Sequence, residues 1–241
     1  MKAAMPEALE ALRSSTPARV GLGRSGPRPR TADRLVFLGD HAAARDAVHA
    51  QVPEDFQDRI EARASLRTLA GGDRDLYLLR PEMGRRLLPE DAESLRATLP
   101  ASPQVLVAVG DGLSTEAVAI QVPRLLPALM DSLRLEGFTQ VAGPIWIVGA
   151  RVGVLDHLGE ILEPEVGILL VGERPGLATA QSLSAYMGWM PGPGKTDADR
   201  NVVSNIHDQG MPALEAAAVI ASWAAAMARQ RRSGVSFRPE G

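Results

Sequence analysis

The chain has 241 residues, with 26 Lys and Arg against 29 Asp and Glu, 45% hydrophobic and 23% charged residues, and no cysteine. That balance belongs to a folded chain and gives no global electrostatic case for nucleic acid. The lack of cysteine excludes disulfide scaffolds, thiolate metal sites and cysteine nucleophiles, and no apolar run approaches the roughly 18–20 residues of a membrane span.

Residues 1–34 form a basic arm, with Lys2, Arg13, Arg19, Arg24, Arg28, Arg30 and Arg34 against Glu7, Glu10 and Asp33. Pro17, Pro27 and Pro29 interrupt regular structure there. Met5, Ala8, Leu9 and Leu12 share one helical face, enough for a short amphipathic helix that docks on a partner. Thr31-Ala32-Asp33 then offers capping oxygens to a helix over Arg34 to His49, in which Leu35, Leu38, Ala42 and Ala44 to Val48 are compatible with a buried face. Helical fragments are expected over residues 54–69, followed by a turn at Gly71-Gly72-Asp73 and a short apolar run from Leu76 to Leu79. Apart from Lys2 and Lys195 every basic side chain is Arg. Guanidinium forks suit interfaces, although a GC-rich genome produces the same bias.

The pattern changes at Leu99-Pro100-Ala101-Ser102-Pro103. The run from Gln104 to Gly110 is short, β-branched and apolar on both faces, as buried parallel strands are. Asp111-Gly112-Leu113-Ser114 turns it into a helix reaching Leu135, interrupted or kinked at Pro123 and Pro127. A second strand is read over Ile145 to Val154, a short helix over Asp156 to Leu162 and a third strand over Glu165 to Val171. Residues 183–190 and 201–206 are further strand candidates, and Met211 to Arg232 reads as a closing alanine-rich helix. Alternating β and α points to an α/β fold with a Rossmann-like, doubly wound, mostly parallel sheet after a mainly helical N-terminal part. The expected division is an arm and helical subdomain over 1–100 and a sheet domain over 101–241. A soluble, cytoplasmic protein is the expectation.

Gly21 to Gly26 matches G-x-G-x-x-G, but that motif needs a strand before it and a helix start after it to face pyrophosphate. Pro27 and Pro29 follow instead, so a loop docking against a protein fits better than a dinucleotide site. Val109 to Ser114 and Gly172-Glu173-Arg174-Pro175-Gly176-Leu177 lie at strand ends, where open α/β sheets bind ligands. A capped tight turn and a surface Glu173–Arg174 pair are the plain alternatives. Asp156-His157-Leu158-Gly159 departs from the D-x-H-x-x-G pattern by which some corrinoid proteins give cobalt a histidine, because the acid and imidazole are adjacent. His41, His49 and His207 have no partners at metal-ligand spacing. No G-x-S-x-G elbow is present, and no self-contained catalytic centre emerges.

Longer strings carry a resemblance to a known family. Arg24 to Asp33 with Leu38 to Val48, then Ala150 to Asp156, Leu170 to Leu177, Leu183 to Tyr186, Asp197 to Asn201, Ser204 to His207 and Glu215 to Ile220 resemble the small (light) subunit of ethanolamine ammonia-lyase. The likeness runs through most of the chain from Ala18 onward. It implies one component of an adenosylcobalamin-dependent carbon–nitrogen lyase that converts ethanolamine to acetaldehyde and ammonia, by homolysis of the cobalt–carbon bond and radical migration of the amino group. It further implies that a separate, barrel-shaped large subunit holds the substrate while this chain closes the cobalamin site from the opposite side.

By the same resemblance Val152, Glu173 and Val202 are cofactor contacts, Val202 standing where some relatives have cysteine. Corrin side chains end in amides, which suit a carboxylate and backbone groups as partners. Arg24, Arg28 and Arg30, held on an extended loop by the prolines, are the expected contacts with the large subunit. No histidine of this chain is expected to bind cobalt, so the cofactor should be base-on, with its own dimethylbenzimidazole as lower ligand. A different class stays open: a non-catalytic cobalamin-binding or scaffold module recruited to a bacterial microcompartment. An independent nucleotide-binding enzyme is a third.

Overall fold

A computed structural model describes residues 7–16 and 18–239. In chain order it has α1 (Glu7–Ser14), β1 (Arg24–Ser25), β2 (Arg28–Pro29), α2 (Thr31–His49), α3 (Phe56–Arg59), β3 (Ala64–Arg67), α4 (Arg74–Leu79) and α5 (Pro89–Thr98). There follow β4 (Val105–Gly110), α6 (Thr115–Leu135), β5 (Val141–Val148), α7 (Val154–Leu162), β6 (Val166–Gly172), β7 (Leu183–Trp189), β8 (Asn201–Ile206) and α8 (Ala213–Gln230). The fold is α/β, with a six-stranded mixed sheet in the order β3-β5-β4-β6-β7-β8. β3, β5, β4 and β6 run parallel to one another, whereas β7 runs antiparallel to β6 and β8 antiparallel to β7.

Every residue of β4 and β6 is buried, which explains their continuous apolar sequences: both faces of these central strands are covered by helices. α6 and α8 cover one face. Leu125, Leu129 and Leu133 of α6 meet the small side chains of α8, among them Ala217, Ala221 and Ala224, in one buried cluster with Val107, Ile168 and Met187 of the sheet. α5 and α7 cover the other face, where Leu95, Leu155 and Leu158 pack with Leu66, Leu106 and Ile147. This second layer does not extend over β7 and β8. Tyr186 is half-buried there and Val202 is 40% exposed.

Four sequence expectations need correction. Residues 64–67 are strand, not helix: Ala64 to Arg67 pair in parallel with Ile145 to Val148 as the sheet's edge. Only Leu66 of the four is buried, so the segment shows no alternating pattern to read. The strand expected over Ile145 to Val154 instead spans Val141 to Val148, and the residues after it form a loop into α7. α6 is continuous through Pro123 and Pro127. Pro127 is exposed and Pro123 half-exposed, so carbonyls without their N–H partners lie on the outer side, while Val118, Val122, Leu125 and Leu129 hold the inner side to the sheet. Finally, α2 starts at Thr31 with no side-chain cap and buries only Ala47, leaving Leu35, Val36, Phe37 and Leu38 exposed.

α1 buries no residue, and Leu9 is held against Gly21, where an added Cβ would lie 2.5 Å from the Leu9 side chain. Met5, the first residue of that expected apolar face, lies outside the described residues. Among the described residues, no helix is long and apolar enough to cross a membrane.

Candidate functional site

The carboxyl ends of β4, β5 and β6 meet at one edge of the sheet, where Asp111 organises the backbone. Its Oδ1 accepts from the N–H groups of Gly112 at 2.8 Å and Ala150 at 2.9 Å, and its Oδ2 from that of Gly149 at 2.9 Å. Burial pushes the Asp111 carboxyl above its ordinary value, while these N–H groups and the charge of Arg74 pull it down. Arg74 ties the same edge to α2, donating from Nε to Val48 O at 2.6 Å and from its two Nη atoms to Gly112 O at 2.8 Å and Leu113 O at 3.0 Å. Gly112 has φ +62, and a Cβ there would stand 2.4 Å from Gly172 O, so the β4–α6 turn can approach the end of β6 only with glycine. The result is a rigid platform from which the Ala150 to Gly153 loop projects.

Two adjoining clefts of about 470 and 430 Å³ open beside that loop and share Arg151, Val152, Tyr186 and Val202. They occupy the part of the sheet left bare by α5 and α7. Val152 and Val202 line both clefts from opposite sides, the first from the loop after β5, the second from β8 beside its partner Tyr186. Glu173 follows β6 directly. Its Oε1 accepts from Ser184 Oγ at 2.6 Å and from the Asn205 N–H at 2.9 Å, and among the described residues Oε2 has no hydrogen-bond donor. The three positions implied by the family resemblance, distant in sequence, therefore fall together in one groove.

Tyr77 and Arg151 form the groove's opposite wall. The Tyr77 hydroxyl donates to Ala150 O at 3.0 Å, and two guanidinium groups lie over its ring, Arg151 4.0 Å and Arg74 4.7 Å from the centroid. Burial raises the Tyr77 pKa well above its usual value. Arg151 donates from Nη2 to Tyr77 O at 2.8 Å, but its Nε is buried with no hydrogen-bond partner. The Tyr186 pKa is also raised, by burial first and then by the negative charges of Glu173 and Asp197, so its phenol remains a donor. Arg200 closes the second cleft, bonded to both Asp156 and Asp197.

Other candidate residues lie elsewhere. Arg24 and Arg28 sit on the small β1–β2 hairpin and Arg30 precedes α2; all three are exposed, and none forms an ion pair among the described residues. Gly21 to Gly26 leads into that hairpin and not into a helix start. His41 and His49 are on α2, His157 accepts the Leu87 N–H at its Nδ1 at 2.9 Å, and His207 Nε2 is 2.7 Å from Asn205 Oδ1. Asp156, next to His157, is committed to Arg200 and does not touch the imidazole. A third cavity, of about 250 Å³, lies on the far side of Tyr77 between His49, Arg74 and Asp111. The Asp111 oxygens there are already taken by backbone donors.

Sequence reasoning passed over Arg151 and Tyr186 as site residues. One signal was present: the chain has only two tyrosines, and both line the groove. Compared with known families, residues 6–238 match the one described as ethanolamine ammonia-lyase light chain (EutC).

Proposed function

From the premise that the chain belongs to the ethanolamine ammonia-lyase light-chain family, we propose that its groove forms one wall of an adenosylcobalamin site completed by the large catalytic subunit. The observation that carries this reading is the convergence of Val152, Glu173 and Val202 on one groove at the strand ends. The polar atoms left open there fit a corrinoid. Glu173 Oε2 is an acceptor and the Tyr186 hydroxyl a donor, neither with a partner among the described residues. Peripheral amides of a corrin ring can satisfy both kinds. Bound adenosylcobalamin supplies the radical that starts migration of the amino group in ethanolamine.

This chain's residues do other work. Glu173, braced by Ser184 and Asn205, accepts an amide N–H and orients the ring. Val152 and Val202 give apolar contact and exclude water from the ring's edge; with valine at 202 the contribution there is packing, not thiol chemistry. In this reading the bare β7–β8 surface, with Tyr186 and Val202, would receive the cofactor's nucleotide tail, and its cobalt would take no histidine from this chain. The substrate is held by the large subunit.

The test uses the co-expressed two-subunit complex. Glu173→Ala should weaken adenosylcobalamin binding about 10- to 150-fold, the loss of one hydrogen bond to a charged group, with the KM for ethanolamine little changed. An unchanged cofactor constant would contradict the assignment.

A further inference from the structure

Arg151 presents a cation that the protein itself does not neutralise. Among the described residues it forms no ion pair, whereas the neighbouring Arg200 has two carboxylates, Asp156 and Asp197. Among the described residues the Arg151 side chain makes one hydrogen bond, from Nη2 to the Tyr77 carbonyl, and its Nε is buried without a partner. The guanidinium is nevertheless held in place. Its central carbon lies over the Tyr77 ring, 4.0 Å from the centroid, and the side-chain stem passes Gly84, where an added Cβ would stand 2.5 Å from Arg151 Cγ. A partly buried charge is costly without a counter-ion, and a fork with unused N–H groups is the geometry that receives a phosphate.

The surroundings favour an anion on this side. Arg85 lines the second cleft and Arg174 the first, both exposed and neither in an ion pair among the described residues, with Arg151 in both clefts. The groove's acids face it from other elements. Glu173 turns Oε1 to Ser184 and Asn205 on β7 and β8, and Asp197 is paired with Arg200. The groove thus carries three cations without ion pairs among the described residues, Arg85, Arg151 and Arg174, against acids engaged by Ser184, Asn205 and Arg200.

We propose that Arg151 is an anion anchor that holds the phosphodiester of the cofactor's nucleotide tail and so positions the corrinoid against Glu173. This rests on the cobalamin reading above. The tail phosphate is the anionic group of a corrinoid whose other peripheral groups are neutral amides. Arg151 selects for corrinoids that carry it. Tyr77 and Arg74 do not touch the ligand in this arrangement; they keep the guanidinium in its plane.

The experiment measures equilibrium binding to the two-subunit complex, by dialysis and visible absorbance, for adenosylcobinamide and adenosylcobinamide phosphate, which differ by the phosphate alone. The wild-type complex should bind the phosphate form at least about tenfold more tightly, as expected for a charge-assisted hydrogen bond. Arg151→Met should bring the two affinities together while leaving that for adenosylcobinamide nearly unchanged. Arg151→Gln, which keeps a donor for the Tyr77 carbonyl, should do the same, so the comparison survives if the Met variant does not fold. A phosphate preference that persists in both variants, or no preference in the wild type, overturns the anchor while the cobalamin reading stands. Wild-type complex that binds no corrinoid, adenosylcobalamin included, overturns both.

Discussion

Asp111 and His157 both use side chains to hold backbone, and neither role is visible in a motif. Asp111 spends both oxygens on N–H groups of its own turn and of the loop after β5, which places Arg151 and Val152 at the groove. His157 accepts the Leu87 N–H through Nδ1, which requires that nitrogen to be unprotonated. Burial and then the charge of Arg86 hold its pKa below the ordinary 6.5, against the pull of Glu160. As the pH falls through 6.5 the unfolded chain takes up this proton before the folded one does, so stability is lost on acidification and levels off below the folded value. The melting temperature of wild type should therefore fall more between pH 7 and pH 5 than that of His157→Gln. Parallel curves for the two proteins would show that His157 does not contribute.

At the scale of elements, the N-terminal arm contrasts with the sheet. α1 buries nothing, α2 buries only Ala47, and four consecutive apolar residues, Leu35 to Leu38, are exposed with the Arg24, Arg28 and Arg30 hairpin region beside them in sequence. Exposed guanidinium groups next to exposed apolar side chains are what a protein interface uses, with Arg enriched at its anchors. Replacing Arg24, Arg28 and Arg30 together by Ala should weaken assembly with the large subunit, and assembly of the triple variant should depend less steeply on salt than that of wild type. Analytical co-purification across a salt series reads both effects. Retention equal to wild type at every salt concentration would remove these side chains from the interface.

For the molecule as a whole, the groove has one wall of polar and apolar contacts and is open to solvent on the side away from the sheet, as fits a light chain that works against a larger partner. The chain alone, given adenosylcobalamin and ethanolamine, should release no acetaldehyde, and addition of the large subunit should restore turnover. Turnover by the isolated chain would mean that this groove acts without a second subunit.

Much of this architecture is written in local pattern. The runs Val105 to Gly110 and Val166 to Gly172 could be placed from sequence because strands buried on both faces must be apolar throughout, and Glu173 could be singled out because it directly follows one of them. The long strings that resemble the light-chain family carried its identity and its candidate contacts. Other features depended on groups far apart in the chain. β3 is a strand because β5 offers its edge to Ala64 to Arg67, a pairing that spans some 80 residues and leaves no periodicity in four amino acids. α6 survives two prolines because its inner face is packed, a tertiary contribution that outweighs local propensity. The groove exists because the α5–α7 layer stops short of β7 and β8, a matter of where helices end in space. Arg151 stands out only once its neighbours are known: beside Tyr77, lining two clefts and in no ion pair among the described residues, its charge becomes a property of the fold and not of the residue.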